Sequence, residues 1–138
     1  MVSKLSNCMP PMFTLIDGIF SLELGPGYDG RAKRSNALIA SSDVLSADMV
    51  GAKVLGYAPS SVPHLVYAAK SRNRATDLSD IELFGESLDH LASPHEKDFQ
   101  YDENKEMPAY LTKYGINGLT FPKPDLTMCT YCTGFTSP

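Results

Sequence analysis

Three groups of residues in this chain have types and spacings that could do chemistry. Cys129 and Cys132 form one Cys-x-x-Cys pair, with Cys8 far upstream. Thiolates at that spacing suit soft metals, but an iron–sulfur cluster takes four cysteines and structural zinc takes four ligands from Cys and His. Cys8 would be a third ligand and His64, His90 or His95 a fourth, although nothing in the spacing demands it. A thioredoxin-like use needs a helix running on from the motif to lower the thiol pKa, and Thr133-Gly134 argues against one. Two idle thiols are the plain alternative.

The second group is the carboxylates Asp17, Asp43 and Asp48, with Glu23 nearby. Converging carboxylates hold a divalent cation, which then serves as a Lewis acid. Asp48 is the sharpest of them. On a helical wheel of about 100° per residue, Ser42, Ser46 and Lys53 share one stripe and Asp48 falls among Val44, Leu45, Gly51, Ala52 and Leu55. A carboxylate on an apolar face costs roughly 1–3 kcal/mol unless it is paired. It therefore either ties down backbone amides or faces a site. The third group is Gly25-Pro26-Gly27 followed by Arg31, Lys33 and Arg34. Backbone amides around Gly25 and Gly27 with these cations could cradle an anion, or the glycines are simply turn chemistry. No Walker A loop, no Gly-x-Gly-x-x-Gly after a strand, no paired-histidine metal motif and no Ser/His/Asp nucleophile motif is present.

These residues need elements to hold them. Phe13-Thr14-Leu15-Ile16 reads as a short buried strand ended by an Asp17-Gly18 turn, which puts Asp17 where open α/β sheets bind ligands. Ala37-Leu38-Ile39-Ala40 is a second strand. Ser41-Ser42-Asp43 supplies a helix start, the helix runs over 44–55, and Gly56 stops it. A second helix starts near Ser60 or Ser61 with Pro63 in its first turn and the stripe Val62, Leu65, Val66, Ala69. Ile81-Glu82-Leu83-Phe84 reads as a third strand, and Pro108 to Tyr114 as a short helix. This order predicts a single small layered α/β domain over 12–92 with a partly parallel sheet. Residues 93–138 read as a polar, acidic connection and an irregular extension that ends in the Cys-x-x-Cys.

Composition narrows the partners. The 138 residues are 43% hydrophobic and 20% charged, enough apolar material for a core and too little charge for a disordered chain. A net charge of −4, with no tryptophan and no interleaving of basic and aromatic residues, argues against nucleic acid and anionic membranes as partners. No apolar run nears the ~18–20 residues of a spanning helix, and the stretch over 9–20 lacks the basic start and cleavage site of a signal peptide. Three cysteines are too few for a disulfide framework, so a cytoplasmic setting is expected.

Taken in order, Leu15-Ile16-Asp17-Gly18, Gly25-Pro26, Gly30, Ala40-Ser41-Ser42-Asp43, Ala47-Asp48, Leu55-Gly56 and Gly85-Glu86 resemble the C-terminal half of the domain-of-unknown-function family 362. The resemblance covers roughly residues 12–88, and Asp17, Asp43 and Asp48 fall on the family's acidic positions. Many members are described as iron–sulfur proteins with ferredoxin-type cysteine motifs. Val44 stands where the family would have proline, and a full four-cysteine motif is absent. The resemblance implies a fragment of an iron–sulfur redox protein, with Cys129, Cys132 and Cys8 as cluster ligands. Its partner would be the family's N-terminal half or a redox protein. Two other readings stay open: a divalent-metal enzyme using Asp17, Asp43 and Asp48, and a non-catalytic scaffold domain with an exposed apolar patch.

Overall fold

The computed structural model describes residues 4–5, 7–24, 30–96 and 114–118. The chain divides into two compact units, Met1–Ser21 with Arg34–Pro94, and Leu22–Lys33 with His95–Pro138. Five elements follow one another: β1 (Thr14–Glu23), β2 (Arg31–Ser41), α1 (Val44–Val54), α2 (Pro63–Ser71) and the single turn α3 (Leu88–Leu91), with a short 3-10 turn at Pro59–Ser61. The α/β class therefore holds, but the expected partly parallel sheet does not. The two strands form an antiparallel hairpin, and no parallel strands are seen among the described residues.

Both strands are longer than their apolar runs suggest. The Asp17-Gly18 pair does not end β1 but sits in its middle, and β1 runs on to Glu23. Gly18 is there because the backbones approach closely: a Cβ on it would lie 3.0 Å from the carbonyl oxygen of Ala37. Inward and outward residues alternate along β2 from Ala32 to Ser41. In β1 the alternation changes phase, with Ile19 and Phe20 both exposed. That is the pattern of one extra residue in one strand, a β-bulge. Asn36 takes a φ of 51° in β2, a left-handed geometry that asparagine tolerates.

The core of the first unit lies between α1 and α2, where Leu45 and Met49 pack with Val62, Leu65, Ala68 and Ala69. Asp43 caps α1, and Gly56 follows it with a φ of 86°. Pro63 opens α2, where its missing N–H costs nothing. The other side of α1 meets the hairpin. A methyl group on Gly51 would sit 3.6 Å from Ile16 Cδ1 and 3.9 Å from Ile39 Cδ1. So α1 is packed on two opposite sides. Residues 81–84, expected to be a third strand, have no regular secondary structure and join no sheet. The predicted helix over 108–114 lies outside the described residues except for Tyr114.

Candidate functional site

Asp43 does more than start a helix. Its Oδ2 accepts from the backbone N–H of Ser46 at 3.0 Å and from the Ser46 hydroxyl at 2.6 Å. Arg74 donates to the same oxygen at 2.8 Å, and Arg72 donates to Oδ1 at 3.1 Å. Four donors are about what one carboxylate can accept. Arg74 also reaches the Ser46 hydroxyl at 3.1 Å and pairs with Asp80, while Arg72 Nε donates to Asn7 at 2.9 Å. Partial burial pushes the Asp43 carboxyl up, but the bonds from Ser46 and Arg74 outweigh it and hold the pKa at about 2. The cluster joins the start of α1 to the end of α2. A cavity of about 500 Å³ lies beside it, with Met9 and Pro10 on one side and Ser42, Asp43 and Arg72 on the other.

The three aspartates are not brought together. Asp17 lies exposed in mid-strand, and its Oδ1 accepts from the N–H of Ile19 at 2.9 Å, a local turn-like bond rather than a ligand position. Asp17 also alternates with Ile16 and Gly18, so it points away from the hairpin face that meets α1. Asp48 is exposed, not set in an apolar face. The wheel assumed one apolar stripe, whereas α1 buries Leu45 and Met49 on one side and Ala47, Val50 and Val54 on another, leaving Asp48 in the seam between. Atoms crowding the carboxyl raise its pKa by desolvation, opposed by His64 and aided by the Asp43 charge. Solvent still reaches it, so it needs no buried partner.

Cys8 is exposed, and among the described residues no three of His, Cys, Asp or Glu are grouped to hold a metal ion. Gly25, Gly27, Cys129 and Cys132 lie outside the described residues.

Glu23, which the sequence placed only near the three aspartates, is 5% exposed. In the second unit Arg31 grips its Oε1 through Nε at 2.8 Å and Nη2 at 2.6 Å, and the N–H of Glu96 donates to Oε2 at 3.1 Å. Lys33 Nζ stands 3.5 Å away. The Arg31 bonds first, then the Glu96 amide, hold the Glu23 pKa at about 2 against desolvation. Arg31 and Lys33, expected as anion-binding groups, thus serve an internal carboxylate. The signal was available: Glu23 and Arg31 lie on either side of Gly25-Pro26-Gly27 at a spacing that suits partners across a hairpin.

The hairpin leaves an apolar surface open. On the face turned away from α1, Leu15 is 63% exposed, Phe20 63% and Leu38 59%, with Ile19 beside them and Phe13 just ahead of the strand. Arg34 lies over the Phe20 ring, 5.8 Å from its centroid. No family model matches the chain, and no curated protein or solved structure matches it at a significant level.

Proposed function

We propose that this chain is a non-catalytic docking module, the C-terminal half of a two-part protein of the 362 type. In this reading the outward hairpin face receives an apolar layer from the N-terminal half. The observation that carries it is the one-sided burial of the hairpin. One face is packed on α1, and the other exposes Leu15, Ile19, Phe20 and Leu38. An antiparallel sheet can leave one face to water, but that face is then polar, whereas here it carries Leu15, Ile19, Phe20 and Leu38, and a lone two-stranded hairpin is marginal in water. A contiguous apolar patch of this kind marks a contact surface. Asp17 and Arg34 on the same face offer one charge of each sign to set the register of docking.

The test is sedimentation velocity of this chain alone and mixed with the separately expressed N-terminal half of its parent. The expected result is a one-to-one complex that Leu15→Ser with Phe20→Ser abolishes while the circular dichroism spectrum stays unchanged. No complex, or a dimer of this chain that the same substitutions dissolve, overturns the reading.

A second reading rests on the Cys129-x-x-Cys132 spacing, which suits two ligands of an iron–sulfur cluster completed by other cysteines of the whole protein. Iron and acid-labile sulfide assayed on anaerobically purified parent test it. Loss of both on changing either cysteine to serine supports a redox role. Metal that survives both changes, or no metal at all, removes it.

A further inference from the structure

Four consecutive residues of β2, Leu38 to Ser41, line a single cavity of about 170 Å³. Successive side chains of a strand point to opposite faces, so a cavity touched by four in a row runs along the strand's edge. The opposite edge of β2 belongs to β1, and among the described residues no second strand pairs with β2. The far wall is residues 81–84, which stand outside the sheet, and Ala47 and Val50 of α1 lie at the base. The arrangement is a slot between the β2 strand and the segment 81–84. Along one long side runs the edge of β2, which no other strand among the described residues pairs, and the interior holds about one large apolar side chain.

The charge of the slot is one-sided. Glu82 and Glu86 stand among its lining residues, and no lysine or arginine does. Glu86 pairs with His90, 3.4 Å away. We propose that this slot binds an extended peptide segment as a third strand on β2, with apolar side chains alternating into the cavity and basic residues at the segment's ends. Main-chain pairing along an open edge supplies affinity, and the pocket and flanking charges supply selectivity. The inference extends the docking reading from the face of the hairpin to its edge.

The probe is the synthetic peptide Lys-Val-Thr-Val-Thr-Val-Lys, with a second peptide carrying Glu at both ends. Added to the ¹⁵N-labelled chain, the basic peptide is expected to shift the amide resonances of residues 38–41 and 81–84 and to slow hydrogen exchange along β2. The exposed pair of changes Glu82→Lys and Glu86→Lys should weaken its binding about tenfold or more and turn the preference toward the acidic peptide. Leu15→Ser with Phe20→Ser, which removes the docking face, should leave peptide binding intact, so the two surfaces fail separately. Shifts that are absent, that fall only on the outward face, or that ignore the charge reversal overturn the proposal.

Discussion

The guanidinium of Arg74 lies 2.8 Å from the carboxylate of Asp43, across 31 residues of sequence, and shares that carboxylate with Arg72. This pairing makes one residue both the cap of α1 and the tie to the end of α2. The Asp43 side chain keeps about a third of its surface in solvent, which screens part of the attraction.

Asp43→Asn is expected to cost about 1–2 kcal/mol at neutral pH, less than a full cap deletion because asparagine still caps. The folded carboxyl is depressed to about 2 from its ordinary 3.8. Its contribution is therefore complete above roughly pH 4 and is lost as pH falls toward 2. Urea melts of the variant against the parent chain should converge across that window. A stability gap that persists unchanged below pH 2 would show that the charge is not the source.

Asp48→Asn should behave oppositely. The carboxyl is raised rather than depressed, so its ionised form is a slight cost at neutral pH, a cost that fades on acidification. The variant should match or slightly exceed the parent chain at pH 7, within about 0.5 kcal/mol, as surface changes do. A marked loss in thermal melting would mean that the aspartate holds something the exposed geometry does not show.

Two glycines give a sharper contrast. Gly51→Ala adds a methyl that meets Ile16 at an ordinary 3.6 Å and should stabilise by up to about 1 kcal/mol through helix propensity. Gly18→Ala places its methyl 3.0 Å from a backbone oxygen that cannot easily move, and should destabilise by about 1–3 kcal/mol. If Gly18→Ala melted like the parent chain, the close strand approach would be wrong.

In the second unit, a carbon-detected NMR titration of Glu23 should show a midpoint near 2. In Arg31→Ala it should move up toward the ordinary 4.5, because the Arg31 bonds are the largest cause of the depression. A midpoint that ignores Arg31→Ala assigns the effect to the Glu96 amide and Lys33 instead.

What the sequence made legible was local. Ser41-Ser42-Asp43 and Gly56 bracket α1 closely, and Pro63 marks the start of α2, because caps and proline act within one turn. The hairpin was misread because Asp17-Gly18 has the composition of a turn, while the reason for Gly18 is Ala37 on another strand. Asp48 was misplaced because a single wheel cannot reveal a helix packed on two sides. The cluster around Asp43 stayed hidden since Arg72 and Arg74 are separated from it by an entire helix, where no short-range pattern reaches. Residues 81–84 have strand composition without a strand's partner, and composition says nothing about partners.

The backbone N–H of Ser93 donates to the carbonyl of Val54 at 2.8 Å, and a Cβ on Gly56 would press into Pro94. The last turn of α1 is thus finished by residues that leave the ribosome about 40 positions later. At roughly 5–20 residues per second, the helix waits some seconds with an open carbonyl and an uncovered end. A ribosome-bound chain stopped short of residue 94 would hold its two helices but not the latch. Closure of this unit is therefore timed by synthesis, and a chain cut before Pro94 is already incomplete in the part of the molecule made first.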